Sequence, residues 1–230
     1  MPDVAPLLLS AVAFVGTHFL LSHPLRGPIV NAVGERVFLI IYSLTAIVTL
    51  VWMVVAYRAT PASAPMWPVG DALWILVTVL MLLASILFVG SLVRNPALPT
   101  AGAKLKIPET ARGVFAVTRH PMMWGFALWG ACHILVYPVA ANIVLAAAVI
   151  LLALVGATLQ DRKKEKLQPL IWPAWEAKTS YWPFAAIIKG TAHLGQFGAH
   201  AIAGGLIIWL AATYAHRPLA GIAAGIWRWF

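Results

Sequence analysis

The chain has 230 residues, 62% of them apolar and only 10% Asp, Glu, Lys or Arg; ordinary soluble domains carry roughly 25% charged residues, so this one has too few to cover a water-facing surface. A net charge of +9 would point to nucleic acid in a soluble protein, but in a chain this apolar the basic residues belong to cytoplasmic loops and nucleic acid is excluded. The single cysteine, Cys132, excludes an internal disulfide and a Cys-based zinc site.

The fold class this predicts is all-α, a polytopic integral membrane bundle of about six transmembrane helices with residues 1–230 as one membrane domain. Each segment is mostly apolar over about 17 to 25 residues, enough to cross a hydrocarbon core of roughly 30 Å. The first is predicted from Val4 to Ser22. Met1 to Pro6 lacks the Lys and Arg of a cleavable leader, so this segment is expected to stay. Pro24, Gly27 and Pro28 then break the pattern. The second runs from Val37 to Tyr57 and the third from Ala72 to Val93. A polar connection, Arg94 to Arg119, leads to the fourth, which opens at Pro121 and ends near Tyr137-Pro138. The fifth runs from Ala140 to Leu159, and Asp161 to Gln168 continues it as a charged turn or two. The sixth runs from Ala199 to Tyr214, where Gly204-Gly205 permits close helix approach. Pro183 to His193 is too short to span and reads as interfacial or re-entrant. The tail, Pro218 to Phe230, reads as a headgroup anchor through Trp227, Trp229 and Phe230, with a seventh span as the alternative.

With six spans, thirteen Lys and Arg fall on one side and three, Arg58, Arg217 and Arg228, on the other. The lysines and arginines of bacterial membrane proteins mark the cytoplasmic side, so the thirteen are predicted to face the cytoplasm and both termini the outside.

An ionisable side chain inside a bilayer is expensive and points to function. His18 and His133 are the two histidines sunk in apolar helices. One such imidazole alone reads as a hydrogen-bonded interhelical group; two in separate helices point to cofactor ligation. Zinc needs three or four protein ligands, whereas haem needs only axial ones, so a haem iron between His18 and His133 is the expectation. His120 is thirteen residues from His133, about 20 Å of helical rise, and cannot share its iron. His18 lies closer in depth, with a remaining offset of about 10 Å that leaves a single axial ligand open. His23 is a poor third ligand beside Pro24. His193 and His200 read as interfacial hydrogen-bonding groups, and His216, beside Arg217, as an ordinary surface histidine. Arg119 and His120 stand at a helix N-terminus, where an anion such as a phosphate or a haem propionate is favoured; facing anionic lipid headgroups is the competing reading.

Four blocks carry a resemblance: T-H-F-L-L-S-H-P-L-R (17 to 26), G-E-R-V-F-L-I-I-Y-S-L (34 to 44), V-W-M-V-V-A-Y-R (51 to 58) and T-R-H-P-M-M-W-G-F-A-L-W-G-A-C-H (118 to 133). Together they resemble the NnrU family, bacterial membrane proteins named from denitrification gene clusters. That family is related to zeta-carotene isomerase, a membrane enzyme that carries haem b on histidines and isomerises a carotenoid double bond when the haem is reduced. The resemblance implies a multi-pass protein of the bacterial inner membrane. It implies His18 and His133 as iron ligands, with Arg119 and His120 as further cofactor-binding residues and His120 as the catalytic candidate. Ligand switching to a cysteine, which the isomerase raises, would have to use Cys132, about 100° away from His133 around the helix.

A second, weaker resemblance links R-H-P-M-M-W-G and the following D-R-K-K-E-K-L to isoprenylcysteine and phospholipid methyltransferases. There the Arg-His-Pro block and an acidic pair help bind S-adenosylmethionine; here Asp161 and Glu165 are four apart. Three functions are therefore expected in competition. The first is haem-dependent redox or cis–trans isomerisation of an apolar small-molecule ligand such as a carotenoid, or a redox role in nitrogen-oxide respiration. The others are membrane methyl transfer and a non-enzymatic haem or NO sensor or assembly factor. The lipid bilayer is the expected partner in all three.

Overall fold

The computed structural model of the protein describes residues 3–98 and 107–230. Among these it is helical without strands. α1 is Ala5–Ser22, α2 Arg26–Val33, α3 Glu35–Ala59, α4 Asp71–Gly90 and α5 Val114–Val117. α6 follows at Pro121–Val136, α7 at Ala140–Leu167, α8 at Trp172–Glu176, α9 at Ala185–Ile188 and α10 at Ala199–Ala220, with a closing 3-10 turn at Gly225–Arg228. α1, α3, α4, α7 and α10 are long and apolar enough to cross a membrane; α6 is the shorter apolar helix. The expected polytopic helical bundle is what the chain forms. Lys104 and Lys106, counted in the charge asymmetry, lie outside the described residues.

The six long helices pack as a row in the order α3, α1, α7, α6, α4, α10, so α7 and α6 form its centre. Small residues set the spacing. A Cβ on Gly205 would lie 2.8 Å from the Ile86 Cα, so α10 lies backbone-close on α4, as Gly204-Gly205 predicts. A Cβ on Gly130 would meet Ile150 Cγ1 at 2.6 Å and the Ala146 carbonyl at 3.0 Å, which fixes α6 on α7. The outward faces carry exposed Val12, Val48, Val55 and Ile207, the apolar surface a bilayer would cover.

Several boundaries differ from expectation for local reasons. Pro24 stops α1, but Pro28 does not prevent α2, because in the first turn of a helix its missing N–H has no partner to lose. α4 ends at Gly90, earlier than the predicted Val93: the Ser91 hydroxyl donates to the Phe88 carbonyl, and Arg94 turns left-handed at φ 55°. α7 runs unbroken to Leu167, carrying the charged residues on its last turns as expected. α10 continues through Pro218 to Ala220 instead of ending at Tyr214. The tail is not a seventh span. Gly221, at φ 69°, turns it back, and Arg217 Nη2 donates to the Trp227 and Phe230 carbonyls at 2.8 Å.

Each end of α6 is held by polar groups. At its C-terminal end Asn142 Nδ2 donates to the His133 and Tyr137 carbonyls at 2.9 and 2.7 Å, and Trp67 Nε1 to the Leu135 carbonyl at 3.1 Å. Its N-terminal end enters a compact cap on the side that carries the basic residues. There Val114, Phe115, Ala116 and Val117 of α5 pack on Trp172 and Trp175 of α8 and on Ala186 of α9.

Candidate functional site

Three places collect the chemistry-bearing side chains: a buried ionic clamp at the start of α6 and two intramembrane chambers.

The clamp is built on Asp161, near the end of α7. Its Oδ2 accepts from Arg119 Nε at 2.8 Å and pairs with Arg119 Nη2 at 2.6 Å. Its Oδ1 accepts from His120 Nε2 at 2.8 Å and from Trp172 Nε1 at 3.2 Å. Glu176 of α8 pairs with Arg119 at 3.3 Å. Burial pushes the Glu176 carboxyl above its ordinary pKa, against the opposing pull of Arg119. His120 is 2% exposed. The extended residue before it is tied as well: Thr118 Oγ1 donates to the Tyr181 carbonyl at 2.7 Å. The anion that Arg119 and His120 meet is therefore the protein's own carboxylate. Neither residue lines either chamber, so the structure brings the expected catalytic residue to a carboxylate and not to a ligand cavity. Asp161 and Glu176, not Asp161 and Glu165, are the acidic pair around Arg119.

The first chamber, of about 460 Å³, lies between α1, α3, α6 and α7. Phe14, Phe19, Phe126 and Leu152 wall it, and His18 faces it. His18 Nδ1 donates to the Phe14 carbonyl at 2.7 Å, the arrangement that leaves Nε2 as an acceptor.

The second chamber, of about 500 Å³, lies at the other end of the bundle. His133, in the last turn of α6, and His216 of α10 both face it, with Val77, Met81, Trp209 and Arg58. The rings of the two histidines have centres 6.1 Å apart and planes 30° apart. His133 Nδ1 is held by the Trp129 carbonyl at 2.7 Å and His216 Nδ1 by the Ala212 carbonyl at 2.8 Å. Two further wall residues have buried polar atoms without a partner among the described residues, Thr78 Oγ1 and Trp209 Nε1. Buried polar atoms are nearly always satisfied, and these two are left without a protein partner on one wall of the chamber.

A profile of the family described as NnrU protein matches residues 6–224. The chain belongs to the NnrU family. No curated protein and no solved structure matches it. In this NnrU protein His18 and His133, expected to share one iron, face different chambers. The physical reason is depth: His18 is one turn from the C-terminal end of α1, on the basic side, and His133 is in the last turn of α6, at the other end of the bundle.

His133 has His216 beside it instead, the histidine that looked like an ordinary surface group. A usable signal was present. Six alternating spans put the C-terminal ends of α6 and α10 on the same side, so those two histidines start at matching depth. Cys132 is fully buried and lines neither chamber. Among the described residues no three His, Cys, Asp or Glu come together as a metal site. The residues of the second chamber fit haem: two imidazole donors, apolar walls, and Arg58 for a carboxylate.

Proposed function

We propose that this NnrU protein holds haem b within the bilayer, with His133 and His216 as the residues that would hold its iron, and serves redox chemistry or cis–trans isomerisation of an apolar ligand. One observation carries the reading: two imidazoles from different helices share one chamber, each anchored through Nδ1 and open at Nε2. Their ring centres lie 6.1 Å apart, near enough for one bound group to touch both.

When bound, haem supplies a reducible iron whose potential follows its axial ligands. The Trp129 and Ala212 carbonyls orient the two rings and make their free nitrogens more basic. Arg58 suits a propionate. Thr78 and Trp209 offer hydroxyl and indole donors to the same ligand. The His18 chamber, with its phenylalanine walls, suits the apolar ligand. A place in nitrogen-oxide respiration at the bacterial inner membrane is in keeping with such redox chemistry, and an NO or haem sensor would use the same ligands without turnover. Methyl transfer has less support, because Arg119 and His120 are engaged by Asp161.

The test is an absorption spectrum of detergent-purified protein. A low-spin Soret band is expected, lost in His133→Ala and in His216→Ala and retained in His18→Ala. Absence of any Soret band in protein purified from haem-replete membranes overturns haem binding. A band that survives His216→Ala but not His18→Ala overturns the ligand assignment.

A further inference from the structure

The His18 chamber does not end in apolar walls. It adjoins a second space of about 500 Å³ on the basic side of the molecule, and Ser22, His23 and Lys163 line both. Arg26, Arg162 and Lys166 join Lys163 around that lower space. No carboxylate lines it. Arg26 is paired with Glu35 at 2.6 Å, whereas Arg162, Lys163 and Lys166 have no ion-pair partner among the described residues. His23 is fixed in the neck: its Nε2 donates to the Leu159 carbonyl at 3.1 Å and its Nδ1 sits 2.8 Å from Ser22 Oγ. The neck is therefore a rigid join between α1 and α7 and not a gap between loose side chains.

We infer that the joined cleft binds an amphiphile with a phosphate head and a long apolar tail, the head among Arg162, Lys163 and Lys166 and the tail along Phe14, Phe19 and Phe126. Polarity along the cleft argues for this. A pure hydrocarbon would leave the half-buried Lys163 and the exposed Arg162 and Lys166 without a charged partner, and a free anion would leave the phenylalanine chamber without an occupant. Three unpaired cations at one mouth match a head of charge near −2 better than a single carboxylate does, since a phosphate monoester carries about −1.5 to −2 at neutral pH. Gly156 supports the tail's path: a Cβ there would find only the Phe19 ring edge, at 3.9 Å, so the wall is open at that point. This deepens the proposed function by giving its apolar ligand a charged head. It uses no iron ligand, and binding is read whether or not haem is present.

The experiment is calorimetric titration of the full-length protein in uncharged maltoside micelles with dodecyl phosphate, dodecanol and inorganic phosphate. Saturable binding of dodecyl phosphate is expected, at least tenfold tighter than either of the others. Lys163→Gln should weaken it about fivefold, and Arg162→Gln/Lys163→Gln on the order of 25-fold, at the free energy per cation typical of a membrane surface. Gly156→Leu should block dodecyl phosphate and leave inorganic phosphate binding as in the parent, with an unchanged melting temperature as the control for folding. Equal affinity for inorganic phosphate, equal affinity for dodecanol, or an unchanged constant in the double variant would each overturn the inference. Loss of haem binding with retained dodecyl phosphate binding would sink only the proposed function.

Discussion

Asp161→Asn tests the clamp most directly. The substitution keeps the shape of the side chain and removes its charge. Arg119 then loses the two contacts at 2.8 and 2.6 Å to a carboxylate and keeps only Glu176 at 3.3 Å. His120 Nε2 faces an amide in place of a carboxylate acceptor. The side chains of Arg119 and Asp161 are 13% and 7% exposed, so water does little to replace what is lost. A charge-assisted hydrogen bond contributes about 1.5–3 kcal/mol, and breaking a buried pair by removing one partner costs about 3–5 kcal/mol. Asp161→Asn should therefore destabilise the protein by about 3–5 kcal/mol, measured as reversible denaturant unfolding in detergent by circular dichroism. His120→Ala leaves Arg119 and Trp172 on the carboxylate and should cost less, about 1.5–3 kcal/mol, with haem content largely retained. In a double-mutant cycle, Arg119→Met with Asp161→Leu should cost less than the sum of the single changes, because neither charge is then left alone. Asp161→Asn within about 0.5 kcal/mol of the parent would place it with ordinary surface substitutions and refute the clamp. Unchanged stability with loss of S-adenosylmethionine binding would show that Asp161 serves a ligand instead.

Gly205→Leu drives a side chain into the Ile86 backbone, where even a Cβ would sit at 2.8 Å; overpacking of this kind costs about 1–3 kcal/mol or more, and a lowered melting temperature with disturbed His216 spectroscopy is the expected result. A reporter fused after Arg112 should read as cytoplasmic and one after Pro138 as periplasmic; the reverse pattern would overturn the orientation drawn from the charge asymmetry. Glu176 has a folded pKa raised above its ordinary 4.5, so the folded state binds its proton more readily than the unfolded chain. The stability it contributes is present below pH 4.5 and is lost as pH rises through the raised value, and Glu176→Gln should flatten that part of the pH–stability profile.

Much of the fold was legible because membrane insertion imposes simple rules. Apolar length located all six long helices, and proline in the first turn marked the start of α6. The shortfalls trace to interactions between distant residues. Nothing in the local pattern says that Ser91 and Arg94 end α4 early, or that α2 forms around Pro28. The site was legible only by residue type. His18, His133, Arg119 and His120 stand out by residue type and position, but their partners depend on how the helices pack. His18 and His133 lie near opposite ends of the bundle, and which ring each one meets depends on packing that hydropathy has no means of announcing. Asp161 was visible as an acid in a basic run. That it reaches Arg119 and His120 follows from packing of α6 along α7, which Gly130 sets and local sequence does not reveal.

The two features that looked independent in the sequence, the Arg-His-Pro corner and the deep histidine, are opposite ends of one strut. α6 has 16 residues, about 24 Å of rise at 1.5 Å each, short of a hydrocarbon core of roughly 30 Å. A helix that short can slide or tilt unless its ends are fixed. One end is fixed by Asp161, which binds the two residues that precede Pro121. The other is fixed by Asn142, whose side-chain amide donates to the carbonyls of His133 and Tyr137. Both anchors belong to α7, so α7 sets the depth of α6 and with it the depth of the His133 ring. His216 can stand beside that ring only at that depth. The clamp therefore acts on the second chamber without touching it: Arg119 and His120 are positioning residues whose distance from His133, about 20 Å along the helix, is the length of the part they hold in place.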